Sequence, residues 1–297
     1  MSERSVNLAI LAIGIIAVST AAVMIREAAA PAMVIAAYRV GLASLPLLLL
    51  AGLKRDRVLP RDGTLIALTV LSGICLAVHF GFWVASIKQT SIVTSVVLVT
   101  TTPLFVGLAG GPLLGERPGR SIWLAIAVSA AGTVLLVSED FDAGGDTLTG
   151  DVFALLGALF AAGYIMTGRR VLGAGKAWLP YVTASYSIAA VVLLASALAT
   201  GEALGGYSGK TYALLLGLAA VPQLIGHTSV NRSLGHLPAI VVSVAVLGEP
   251  VCATILATIF LSEEPTLLQL GGGLVVLTGV ALGVRGDVRT APVEAAG

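Results

Sequence analysis

Charge is what this sequence has least of. Only 11% of its 297 residues are Asp, Glu, Lys or Arg, and the mean hydropathy is +0.99. A soluble domain carries about 25% charged residues, so composition alone points to a chain that spans a membrane. The net charge of +1 offers no basic surface for nucleic acid. Cysteine is scarce as well. Cys75 and Cys252 lie inside apolar runs, too few for a disulfide framework and too far apart for metal-ligand spacing, and they read as core fillers. No Gly-rich phosphate loop ending in Lys-Ser/Thr occurs, which argues against ATP-driven transport within the chain. No His-Glu-x-x-His pair or intramembrane aspartate dyad supports an enzyme, and neither a cofactor nor a metal is expected.

What is present is apolar sequence in ten runs: Val6–Ile25, Pro31–Leu53, Thr64–Ile87, Ser91–Leu114 and Gly119–Val137, then Gly150–Gly168, Trp178–Thr200, Thr211–His227, Pro238–Leu261 and Thr266–Val284. Most approach the ~20 residues that an α-helix needs to cross a bilayer core. The first is longer than the ~7–15 apolar residues usual in a secretory signal. The expectation is an all-α membrane protein of ten transmembrane helices, five in residues 6–137 and five in 150–284. An acidic external loop, residues 138–149 with Glu139, Asp140, Asp142 and Asp146, joins the halves.

Loop charge sets the orientation. With the N-terminus and every second loop on one side, that side holds 13 of the 17 Lys and Arg. The opposite side holds Arg26, Lys88 and Lys210, and Arg39 falls inside the membrane. Cytoplasmic loops carry the Lys/Arg excess, so both termini are expected in the cytoplasm.

The halves echo each other at an offset of 147 residues: Pro103 and Pro250, Glu116 and Glu263, Pro118 and Pro265, and Gly132 and Gly279 all pair. Two copies of one unit follow. Because five helices is an odd number, the second copy enters the membrane inverted, as in transporters whose sites lie near the midplane between repeats. Gly111/Gly115, Gly279/Gly283 and Gly271 to Gly273 are candidate close-packing surfaces.

Polar and aromatic residues at mid-depth are the candidate site. Gln223, His227 and Asn231 recur at i, i+4, i+8 on one helical face, with Gln223 deepest and Asn231 near the cytoplasmic end, where it can meet water. His79 and Trp83 are likewise spaced i, i+4, although Trp83 also suits an outer aromatic belt. Tyr164 needs a hydroxyl partner near the midplane. Ser91, Thr94 and Thr101 form a polar stripe that packing explains equally well. Pro103 and Pro250 are candidate hinges, because proline removes a helical donor. Arg39 can snorkel outward, whereas Glu249 is central and expensive there.

The helix pairs ending Pro103…Leu114-Gly115-Glu116-Arg117-Pro118 and Pro250…Leu261-Ser262-Glu263-Glu264-Pro265, the stretch Val221 to Asn231, and Tyr38-Arg39 resemble the drug/metabolite transporter (DMT) superfamily, EamA type. That resemblance covers essentially the whole chain. It implies two inverted repeats, cytoplasmic termini, a bacterial inner (cytoplasmic) membrane, and export of small metabolites, amino acids among them. A multidrug exporter, a channel and a non-catalytic scaffold or helper subunit are the other readings. The expected partners are a small-molecule substrate and the lipid bilayer, with the protein a monomer. Glu249 is the candidate for proton coupling, as the one carboxylate placed at the midplane.

Overall fold

The structure, a computed structural model, describes residues 3–90, 92–137, 148–261, 266–286 and 288–290. Ser91, Glu263, Pro265 and most of the acidic loop lie outside them. The chain is mostly helical. Among the described residues, seven helical stretches of 21 to 27 residues are long and apolar enough to cross a membrane, and 120–135, 239–253 and 270–285 are shorter apolar helices. Large side chains such as Leu49, Leu108, Val191 and Leu274 are exposed on the outer surface, as lipid contact requires.

The first expected helix is two, α1 (Glu3–Ser19) and α2 (Ala21–Glu27), parted at Thr20. They are followed by α3 (Ala32–Leu53) and α4 (Gly63–Gln89), the latter capped by the Asp62 carboxylate on the Leu65 amide. The next span is broken into α5 (Ile92–Val99) and α6 (Thr102–Leu114). The cause is local. Thr100, Thr101 and Thr102 each turn a hydroxyl back onto the carbonyl three residues earlier, Val97, Leu98 and Val99, at 2.8, 2.7 and 2.8 Å. These bonds satisfy the end of α5. Pro103 then occupies the first turn of α6, where a missing amide costs nothing.

After β1 (Glu116–Pro118) come α7 (Arg120–Val137), α8 (Leu148–Gly173), α9 (Trp178–Ala199) and α10 (Gly209–Leu218). The last runs into a π-helical stretch, Ala219–His227, and then α11 (Thr228–Leu234). A second broken span gives α12 (Ala239–Val246) and α13 (Glu249–Leu261), and α14 (Leu267–Arg285) and β2 (Val288–Thr290) end the described chain. The breaks, 100–101 and 247–248, are themselves 147 residues apart.

Helix α3 packs on α9, α4 on α8, α1 on the π-helical stretch and α11, and α7 on α14. The α7–α14 crossing is backbone against backbone. A Cβ at Gly132 would stand 2.6 Å from the Val276 amide and 2.9 Å from the Gly272 carbonyl. One at Gly279 would stand 2.7 Å from the Ser129 amide and 2.9 Å from the Ala125 carbonyl. Both the glycines and the atoms they meet are 147 apart. Gly283 also packs tightly, against Val244 and Ala125. Of the other expected glycine seams, Gly271 to Gly273 holds at Gly272, whose carbonyl faces Gly132, but not at Gly271, and Gly111/Gly115 is corrected. Gly111 has only the Arg117 side chain at 3.7 Å, Gly271 has nothing within 4 Å, and Gly115 serves instead as the left-handed cap of α6, with φ +70°.

One end of the molecule carries a clasp. β1 pairs antiparallel with β2, Glu116 opposite Thr290. The buried Glu116 accepts from Arg169 Nε at 2.7 Å and from the Ala239 amide, the first of α12, at 2.8 Å. Arg169 also donates to the Leu234 carbonyl at 2.9 Å. One carboxylate therefore ties β1 to α8 and α12, neutralised by a cation and by the helix N-terminus.

Candidate functional site: a central cavity between the broken helices

A cavity of about 70 Å³ lies where both helix breaks meet α1, α4, α8 and the end of the π-helical stretch. Fourteen residues line it, including His79, Trp83, Thr100, Thr102, Tyr164, His227 and Glu249. Eight of the fourteen fall into pairs 147 apart: Val18 with Ile165, Trp83 with Val230, Val99 with Val246, and Thr102 with Glu249.

The polar wall is held by specific bonds. His79 Nδ1 lies 2.9 Å from the Gly157 carbonyl; a carbonyl only accepts, so Nδ1 carries the proton and Nε2 is an acceptor. The Trp83 indole stacks on the His79 ring, with centroids 6.0 Å apart and planes within 4°. Trp83 is buried and on the cavity wall, not in the outer belt, its alternative placement. Tyr164 finds its partner in Asn231, whose side-chain amide donates to the hydroxyl at 2.5 Å. Asn231 is fully buried rather than wet.

Gln223 is also fully buried, but it does not line the cavity; its Oε1 accepts from Arg39 Nε at 2.9 Å. The i, i+4 face expected for Gln223 and His227 assumed 3.6 residues per turn. A π-helix is wider, and Pro222 within it removes a donor, so the two side chains turn to different surroundings. Arg39 does not snorkel. It has no exposed surface, and its guanidinium lies 4.2 Å from the Phe80 ring centroid and 5.5 Å from that of Trp83. Its Nη1 and Nη2 have no hydrogen-bond partner among the described residues.

Arg39 and Glu249 are not an ion pair: they act on each other electrostatically, but no contact within 4 Å joins them. Glu249 is 5% exposed, and its carboxylate has neither hydrogen bond nor ion pair among the described residues. Thr94 is buried away from the cavity, and Thr101, in the break, bonds the Leu98 carbonyl at the end of α5. Their neighbours Thr100 and Thr102 line the cavity instead. Sequence reasoning missed both, although the 147-residue offset from Glu249 lands on Thr102.

The EamA-like transporter family matches the chain twice, over residues 4–138 and 148–285, and the chain belongs to that family. It is a multi-pass membrane transporter. A chain from Pseudomonas aeruginosa named pseudopaline exporter CntI is 27% identical, covering 94% of this chain and 96% of its own. An uncharacterized transporter of Archaeoglobus fulgidus is 29% identical over 84% of this chain and 86% of its own. Bacillus subtilis YdfC, another uncharacterized transporter, is 26% identical over 83% and 79%. A solved crystal structure of 19% identity superposes with a TM-score of 0.80, covering 95% of this chain and 98% of that one. The three sequence relatives bear the names of transporters or exporters, in keeping with a chain that is not an enzyme.

Proposed function

We propose that the chain is a secondary transporter of the bacterial inner membrane that exports small metabolites, amino acids among them, by alternating access through the central cavity. On this reading it has ten spans in two inverted five-helix repeats, 6–137 and 150–284, joined by an external loop at 138–149. Both termini are cytoplasmic and the monomer is the working unit. The observation that carries the reading is the cavity wall. Four pairs of lining residues obey the same 147-residue offset as the helix breaks and the crossing glycines. A cavity on the axis relating two repeats is where a rocking transporter keeps its site.

Two further facts favour it. The family matches each half separately, and the Pseudomonas relative is named for export. A cavity of about 70 Å³ is far below the ~300–1,000 Å³ of ligand pockets, which suits a site closed down between openings. The clasp at Glu116 is then the cytoplasmic seal, with Pro103 and Pro250 at the flexing points. The same cavity could serve a multidrug exporter, whereas a scaffold needs none.

Reporter fusions at Gly63 and Gly175 are expected to read cytoplasmic, and fusions at Gly206 external. Counterflow in proteoliposomes loaded with pooled amino acids should show saturable exchange. A cytoplasmic reading at Gly206 contradicts the topology, and the absence of counterflow for any metabolite pool favours the scaffold.

A further inference from the structure

We propose that the ligand of this cavity carries a protonated amine, and that Glu249 selects it by direct contact. The proposal rests on reading the cavity as the transport site.

The argument begins with a break in the repeat relation. Thr102 and Glu249 are equivalent, each the first residue of the second half-helix and each on the cavity wall. Thr102 shows what the scaffold requires there. Its one hydroxyl proton is shared between the Val99 carbonyl at 2.8 Å and that of Ala158 at 3.3 Å, so its donor is committed to the scaffold. Glu249 does not copy this. Its main-chain carbonyl accepts from the Ser19 hydroxyl at 3.2 Å, which fixes the backbone, while its carboxylate bonds no described residue. A carboxylate held at this depth without a partner is costly, so packing alone does not account for it.

A cation can reach it from the cavity, whose wall Glu249 helps to form. Arg39, the charged group nearest in effect, is not part of the wall. It is held by Gln223 and stacks on Phe80 and Trp83. Arg39 also breaks the repeat relation, standing where the second half has Tyr186. The positive end of α13 is met by Glu249 itself in the first turn.

Three further residues suit the same chemistry, in a wall that is otherwise largely apolar. His79 offers Nε2 as an acceptor because Nδ1–H is committed to Gly157. The aromatic residues Trp83 and Tyr164 also line the space and attract cations. An ammonium brings three donors and no acceptor, matching a carboxylate and an imidazole acceptor, whereas a ligand whose only charged group is a carboxylate would meet like charge. The present cavity, about 70 Å³, is the size of an ammonium head group or roughly two waters. The remainder of the molecule enters as the cavity opens.

The test uses three probes that share a phenethyl group on the purified full-length protein in nanodiscs at neutral pH. They are phenethylamine, its N-acetyl derivative and 3-phenylpropionate, with binding measured by calorimetry. Phenethylamine should bind at least about tenfold more tightly than the other two, the value of one charge-assisted contact. Glu249→Gln should erase that preference and Glu249→Asp should retain it. Phenylpropionate binding as tightly as the amine overturns the proposal, as does a preference that survives Glu249→Gln, or no binding of any probe to the wild type. The wild-type ranking decides the matter even if a variant does not fold. Running counterflow with the same probes separates the two readings. Amine binding without counterflow of any probe removes the transport reading alone. Counterflow of phenylpropionate that is indifferent to Glu249→Gln removes this one alone.

Discussion

Vesicles carrying Glu249→Gln are expected to lose pH-gradient-driven accumulation, falling to the level wild-type vesicles reach without a gradient, while still exchanging saturating substrate between equal pools. On the proposed reading, with no ATP motif in the sequence, accumulation would draw on an ion gradient. Glu249 is the carboxylate on the cavity wall, and its side chain is bound to no described residue. A group that must alternate between a proton and a cationic ligand has to be unencumbered, unlike Glu116, which is locked to Arg169 and the Ala239 amide. Glutamine keeps the size and the hydrogen-bonding capacity but cannot take up or release the proton. Wild-type vesicles that never accumulate substrate above the gradient-free level would show facilitated flow instead.

Gly279→Ala and Gly132→Ala are expected to lower the melting temperature sharply in detergent, each by the equivalent of about 1–3 kcal/mol, and leucine at either site should prevent recovery of folded protein. The added Cβ meets backbone, not a side-chain tip: the Ser129 amide at 2.7 Å from position 279 and the Val276 amide at 2.6 Å from position 132. Neither helix can give way without separating α7 from α14. Gly271→Ala supplies the opposite sign. With nothing within 4 Å, alanine should be neutral or stabilise by roughly 0.4–1 kcal/mol through the unfolded chain and helix propensity. Equal losses at Gly271 and Gly279 would mean that the crossing is not where the stability lies.

The contrast between those glycines shows what sequence could and could not deliver. Gly111, Gly271 and Gly279 look alike as small residues in apolar helices, and only the repeat partner of Gly279, Gly132, marks it as a crossing point. The same holds at the site. Helices α5 and α12 end at equivalent residues, with Pro103 and Pro250 just beyond the breaks, so the proline pair revealed the interruption. Counting i, i+4 along the eighth span failed because its backbone is π-helical, and Gln223 turned to Arg39 instead of the cavity. Thr101 was chosen over Thr102 because a polar stripe drawn on an unbroken helix runs through the wrong hydroxyl. Asn231 and Tyr164 lie on different spans, and nothing in either span announces their 2.5 Å contact. Offsets between repeats carried tertiary information. Periodicity within one helix did so only where that helix was regular.

The central claim, a cavity opened to each side in turn, is tested most directly at Val99 and Val246, the lining residues that end α5 and α12. Each is replaced by cysteine in a chain lacking Cys75 and Cys252, and its labelling by a membrane-impermeant thiol reagent is followed from either face of the membrane. The measurement is repeated with Glu116→Gln, which removes the charge that seals β1 to α8 and α12. Alternating access predicts that both cysteines react from both faces, and that Glu116→Gln raises labelling from the cytoplasmic face while lowering it from the outside. Labelling that rises together from both faces, or that never occurs from one of them, would contradict it.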